Sequence, residues 1–262
     1  MQAIPRYDVL GVGISALNLP QACAAVLGAL GERRKGYVCT ADARVLNLAV
    51  GDAELRARLN TAFLTTPDGM PVVWLGHLRG HRSVGRVYGP DLMLALCAAT
   101  AGTGHTHFLY GGAPGVVEKL QDRLRARFPR LRIVGTFTPP FRPLTPAEEA
   151  VLAARVAEVR PDLFWVGLGV PERERFMARA LPGFETTVML GVGAAFDLLS
   201  GRVPQAPHWM QRGGLEWFFR LCVEPRRLGP RYLRHGPLFV LRVAAQLTGL
   251  RKYPSATDAG PG

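Results

Sequence analysis

Short β-branched or aromatic runs alternate with Ala-, Leu- and Arg-rich stretches along this 262-residue chain, and that alternation limits its fold more than any other feature. Strands are expected at 7–14, 37–41, 63–66, 107–111, 132–137, 163–169 and 186–192. Helices are expected near 20–34, 42–50, 52–60, 90–101, 114–127, 145–159, 171–181 and 194–200. The fold class is therefore α/β, a Rossmann-like sheet with flanking helices. Pro114, Pro146 and Pro171 each stand where a helix would begin, a place that suits a residue with no N–H to lose. Thr145 is read as the cap ahead of Pro146, with glutamates in the first turn. Between Gly201 and Pro207 two prolines and a glycine interrupt the pattern. The reading places an α/β core at 1–203, a helical, basic appendage at 204–253 and a disordered tail at 254–262.

The run 63–66 ends in Pro67-Asp68-Gly69, which puts a carboxylate at the lip of the sheet, where open α/β sheets bind ligands. Arg86 and Asp91 follow in RVYGPDL, just before an apolar helix. This set suits a hydroxyl attacking a phosphate-bearing donor, with Asp68 taking the proton and Arg86 offsetting phosphate charge. An Asp-Gly turn beside a surface arginine fits the same residues. Thr40 ends a strand ahead of a helix, so it is either an N-cap or a site residue. Two Gly-rich turns, one at Gly111-Gly112 and one at Gly167 and Gly169, follow strands and open helices, an arrangement able to cradle phosphate. GVG at 11–13 reads as a plain tight turn. Asp197 either bonds a ribose or sugar hydroxyl or is a first-turn helix acid.

The chain carries 32 Lys+Arg against 20 Asp+Glu, a net charge of +12. From Arg202 onward ten basic residues face three acids, so this tail supplies +7 of the total. Its arginines are mixed with Trp209, Trp217, Phe218, Phe219, Tyr232 and Phe239, a composition suited to an anionic membrane interface rather than to nucleic acid. No apolar run approaches the roughly 20 residues of a spanning helix, and the N-terminus lacks a signal peptide's pattern. The four cysteines are scattered, as reduced cytosolic thiols would be. His77 with His81 and His105 with His107 have no third ligand nearby in sequence and there is no Asp-x-Asp, so no metal site is expected.

The block PDG followed by RVYGPDL resembles the WecG/TagA/CpsF glycosyltransferases (glycosyltransferase family 26). FLYGGAPGVVEKL (108–120), FPRLRIVGTF (128–137), DLFWVGLGVPERE (162–174), GVGAAFDLLSGRVPQAPHW (191–209) and GLEWFFRLCVEPRRLGPRY (214–232) resemble further blocks of that family in the same order. The resemblance implies an inverting, metal-independent transfer of a hexose-type sugar from a UDP-sugar to a polyprenyl-diphosphate-linked saccharide, for exopolysaccharide or cell-surface polysaccharide assembly. It implies no cofactor beyond the UDP-sugar substrate, and a peripheral place on the inner face of the bacterial cytoplasmic membrane. A homo-oligomer stays open.

By the same resemblance Asp68 is the base, Thr40 and Arg86 share the catalytic site, and Arg220, Arg227 and Arg231 complete it from the appendage. Asp42 stands where the family has asparagine, Arg173 lies in a block that usually reads Lys-Gln-Glu, and Gln205 replaces a usual arginine. Two other classes stay open on the residues alone. One is an NAD(P)-dependent oxidoreductase, although no full GxGxxG is present. The other is a non-catalytic scaffold docked on membranes by its tail.

Overall fold

Residues 7–14 form not one strand but a two-stranded antiparallel hairpin, β1 (Arg6–Val9) and β2 (Val12–Ser15). Its two turn residues, Leu10 (φ 56°) and Gly11 (φ 85°), are both left-handed, which a two-residue hairpin turn of matching twist requires. The strain at Leu10 is offset by full burial and by its N–H, which donates to Gln246 Oε1 at 3.0 Å. A computed structural model describes residues 4–254, so all of the expected tail except Pro254 lies outside the described residues.

After the hairpin come α1 (Leu19–Gly31), β3 (Gly36–Ala41), α2 (Ala43–Gly51), α3 (Ala53–Thr61), β4 (Leu64–Pro67) and α4 (Met70–Leu78). Then follow α5 (Gly89–Thr100), β5 (Thr106–Gly111), α6 (Val116–Arg127), β6 (Arg132–Phe137), α7 (Pro146–Val159) and β7 (Leu163–Gly167). Next are α8 (Glu172–Ala180), β8 (Val188–Gly191) and α9 (Ala195–Leu199). Six strands make one parallel sheet in the order β4-β3-β8-β7-β5-β6, the Rossmann-like α/β class that the alternation predicts. Helix α4 has no counterpart in the sequence expectation, because its short apolar run lacks a polar face to give it a helical period.

Successive residues of each central strand feed opposite faces. Phe164 and Val166 join one core with Phe108, Tyr110 and Phe176, while Leu163 and Trp165 join the other with Leu109 and Leu190. Tyr110 and Phe176 stack at 4.4 Å between centroids, and Phe108 and Phe164 at 5.0 Å. Thr145 and Glu148 form a capping box around Pro146, as expected. Pro114 and Pro171 instead stand before the first residue of α6 and α8, because Gly115 in a left-handed turn and Pro171 itself take the cap positions.

The C-terminal region forms three helices, α10 (His208–Arg212), α11 (Glu216–Val223) and α12 (Pro225–Leu247). α12 lies against α2 and the hairpin. Asn47 Nδ2 donates to the His235 carbonyl at 2.7 Å, and Arg242 Nη1 donates to Asn47 O at 2.8 Å and to its Oδ1 at 3.0 Å. Phe239 and Val243 enter the same hydrophobic cluster as Val45 and Leu46. Among the described residues no helix is long and apolar enough to cross a membrane.

Candidate active site

Parallel strands leave their carboxyl ends at one edge of the sheet, and a cleft of about 920 Å³ opens there. Its floor is built from the ends of β3, β5, β7 and β8, and α11 and α12 close one wall. Asp68 enters directly after β4, its N–H donating to the Ala41 carbonyl at 3.1 Å, so the carboxylate is held at the lip as the sequence predicts. Burial pushes the Asp68 carboxyl up to about 7, against the opposing pull of Arg86, while Asp42 and Glu216 add to the rise.

Arg86 does not line the cleft. Its Nε donates to the Asp68 backbone carbonyl at 2.7 Å, and its Nη2 donates to Glu216 Oε2 at 2.5 Å. The same Nη2 stands 3.9 Å from Asp68 Oδ1, and the guanidinium lies 4.0 Å over the Tyr88 ring. The charge expected to meet phosphate is thus already taken up by an α11 carboxylate. Asp91, in the first turn of α5, also stands outside the lining, where its neighbours Gly89 and Pro90 take part.

Thr40 is not a cap. It lies within β3, is buried, and its Oγ1 donates to the Gly191 carbonyl at 3.2 Å. The cap of α2 is Asp42, whose Oδ1 accepts from the Val45 N–H at 2.9 Å. Arg173 is buried in the wall. It donates to Glu174 Oε1 from Nε at 2.9 Å and to the Thr40 carbonyl from Nη2 at 3.0 Å. Arg173 is therefore spent on holding β3 to α8, and only its edge reaches the cleft.

Gly111 (φ 129°) answers to a close approach: a Cβ there would meet the Gly167 backbone at 2.7 Å. A Cβ on Gly167 would meet the Phe196 ring at 2.6 Å, and one on Gly112 would meet Val116 at 3.1 Å. Close packing thus restricts all three, while Gly112 and Gly167 also line the cleft and Gly111 does not. Gly169 has open space beside it and faces the cleft. Asp197 is a first-turn acid of α9, lines the cleft and pairs with Arg202 at 3.3 Å.

Arg220, Arg227 and Arg231 all line the cleft from α11 and α12. Arg227 pairs with Glu224, and Arg231 Nη2 stands 3.8 Å from Asp42 Oδ2. The Nε groups of Arg220 and Arg231 are buried with no hydrogen-bond partner. A buried, unsatisfied cationic donor is costly, and an anionic ligand would satisfy it.

Sequence reasoning passed over Arg44, Arg142, Arg175, Arg179 and Arg202, which also line the cleft. Nine arginines face it against five acids among the described residues, an excess that favours an anionic ligand. Glu216 escaped notice too, and its only signal was being an acid in a basic tail. None of the four histidines weighed as metal ligands lines the cleft. His77 Nε2 lies 2.8 Å from the Val84 carbonyl, and His107 is buried between Thr100 and Trp165. Among the described residues no three His, Cys, Asp or Glu side chains gather to hold a metal ion.

The family model described as "Glycosyl transferase WecG/TagA/CpsF family" matches residues 7–253. The chain is similar to an N-acetylglucosaminyldiphosphoundecaprenol N-acetyl-beta-D-mannosaminyltransferase of Bacillus subtilis (strain 168), 29% identical over 190 residues and covering 72% of each chain. The protein with the same name in Bacillus spizizenii (strain ATCC 23059 / NRRL B-14472 / W23) is 29% identical over 198 residues, covering 76% of this chain and 75% of that one.

Proposed function

The chain belongs to the WecG/TagA/CpsF family of glycosyltransferases, and from that premise we propose that it moves a sugar from a UDP-sugar to a saccharide linked through diphosphate to a polyprenol. The relatives' names describe a transfer of N-acetylmannosamine to an N-acetylglucosaminyl-diphospho-undecaprenol, so a hexose or N-acetylhexosamine donor is the first choice. Family membership sets aside the oxidoreductase and scaffold readings. The observation that carries the proposal is a carboxylate, Asp68, at the lip of a cleft that is also lined by two arginines, Arg220 and Arg231, whose Nε groups have no partners.

In the proposed reaction the acceptor hydroxyl attacks the anomeric carbon from the face opposite the nucleotide. Its oxygen forms the new glycosidic bond while the bond to the donor's diphosphate breaks, which inverts the centre. The hydroxyl proton passes to Asp68, and the electron pair leaves on UDP. A carboxyl titrating near neutrality suits this work, since it is both ionised in useful amount and basic. Arg220 and Arg231, with Arg227 at the rim, offset the charge that develops on the departing diphosphate, which leaves no role that requires a metal ion. Thr40 and Asp42 also line the cleft and are assigned to substrate hydroxyls in this reading.

Trp74, Trp209, Trp217 and Phe218 are each about half exposed or more, and beside the basic α12 they supply an apolar, cationic face for an anionic membrane. This supports a peripheral place next to a lipid-linked acceptor. The deciding experiment incubates the purified protein with UDP-hexoses and UDP-N-acetylhexosamines and a short-chain polyprenyl-diphosphate-N-acetylglucosamine. Formation of a disaccharide of inverted anomeric configuration is expected. The absence of transfer from every donor in that panel would overturn the reading.

A further inference from the structure

Arg86 Nη2 serves two carboxylates that arrive from opposite ends of the chain. Glu216 Oε2 holds it at 2.5 Å and Asp68 Oδ1 stands off at 3.9 Å. The guanidinium is tethered beside both, because Nε is bonded to the Asp68 carbonyl at 2.7 Å and the plane rests 4.0 Å above Tyr88, so a small shift of Nη2 is enough to exchange one carboxylate for the other. Glu216 is the first residue of α11 and only 7% exposed, so it reaches Arg86 only when the appendage is seated on the core. From this geometry we infer that Glu216 is a positioning residue for proton acceptance: it draws the Arg86 guanidinium toward α11 and leaves the Asp68 carboxylate unbonded and free to take the acceptor's proton.

The inference rests on the proposed role of Asp68 as base. Were Glu216 neutral, Nη2 would turn its hydrogen bond to Asp68, since a charge-assisted bond to the remaining carboxylate is the strongest available. A carboxylate so held is a weaker base and less able to accept a second proton donor, the sugar hydroxyl. The other charged or titratable groups facing Asp68 are Asp42 at the cap of α2, Arg173 of α8, Arg220 of α11 and Tyr88. None of these shares a donor nitrogen with Asp68 as Glu216 does. The arrangement makes the site competent only with the appendage in place.

The test is Glu216→Gln in the full chain, which keeps the shape and removes the charge. The Asp68 carboxyl is followed by carbon NMR against pH, and kcat/KM is followed against pH with a short-chain acceptor in detergent. The titration midpoint of Asp68 is expected to fall by about one pH unit or more. The acid limb of kcat/KM should move with it, and the plateau kcat should drop about tenfold while donor KM changes little. Adding Arg86→Gln to Glu216→Gln should bring the midpoint back toward that of the wild type. An unmoved midpoint in a folded Glu216→Gln protein would overturn the inference and leave Glu216 a strut. Should that variant not fold, Glu216→Asp, whose shorter carboxylate reaches Arg86 less well, should give an intermediate fall, and an unmoved midpoint there overturns the inference equally. The titration needs no substrate, so a wild-type protein that transfers no sugar removes the reaction while the midpoint still decides the positioning.

Discussion

Arg231, in the second turn of α12, holds its Nη2 3.8 Å from Oδ2 of Asp42, the residue that caps α2. Both residues line the cleft, and the pair ties the appendage to the core beside the place proposed for the diphosphate. An arginine shared with a carboxylate has less charge to offer a ligand. Asp42→Asn keeps a good N-cap, so its melting temperature should stay within a degree or two of wild type. UDP should bind several-fold more tightly to this variant, and Arg231→Ala should bind it at least several-fold more weakly. Calorimetric titration with UDP checks both, and tighter binding in neither the first variant nor weaker in the second would take Arg231 out of the donor site.

The raised Asp68 carboxyl sets a pH dependence of known sign. Ionisation is needed for proton acceptance, so kcat/KM should rise with pH through about 7 and level off above it. Asp68→Asn should lose roughly 10²-fold or more in turnover and lose this limb, with UDP affinity nearly unchanged. Because the folded state holds this proton more tightly than the unfolded chain, the wild-type carboxyl costs stability as pH rises from about 4 to about 7. The variant should therefore melt above wild type at pH 8 and level with it at pH 4. Turnover within threefold of wild type would point to another base.

With arginines proposed to neutralise the departing diphosphate, transfer should continue in excess EDTA. Measuring product with and without chelator is enough. Loss of activity that Mg²⁺ or Mn²⁺ restores would replace this part of the mechanism.

At the opposite edge of the sheet His107 is fully buried and accepts at Nδ1 from Trp165 Nε1 at 3.0 Å, so its proton sits on Nε2, 2.9 Å from Thr100 Oγ1. Burial lowers this imidazole to about 4, only partly opposed by Asp162. An ordinary histidine near 6.5 gains a proton in the unfolded chain well before His107 does in the fold. Stability from this group is therefore complete above about 6.5 and is lost as pH falls toward 4, up to about 3 kcal/mol in all. Nitrogen NMR should show a neutral Nε2–H imidazole down to about pH 4.5, and a charged ring at pH 6 would contradict the burial argument.

Because α12 shares the core, removing it should destabilise the whole fold. Phe239 is 3% exposed and packs in one cluster with Val45 and Leu46. Phe239→Ala should cost about 3–5 kcal/mol in urea unfolding. Asn47→Ala, which takes the donor from the His235 carbonyl and one of two acceptors from Arg242 Nη1, should cost about 1–3 kcal/mol. Two separate unfolding transitions, with the first insensitive to either substitution, would show that the appendage folds independently.

The alternation of runs, the capping box at Thr145-Pro146 and the placing of Asp68 at a strand end were legible because each depends on residues within a few positions of one another. Period, cap and turn chemistry are local, and α/β connectivity then puts the strand ends at one edge. The hairpin at 6–15 was not legible, since continuous apolar runs read alike in one strand or two until Leu10 finds Gln246, 236 residues away. The roles of the charged residues were settled only by tertiary contact. Arg86 and Glu216 are 130 residues apart, and a free arginine and a neutralised one look the same in sequence. Arg173 likewise shows nothing in sequence of its burial against Glu174 and the Thr40 carbonyl. Charge is a property of the residue, whereas the charge left over for a ligand depends on which helices dock beside it, and long-range packing alone decides that.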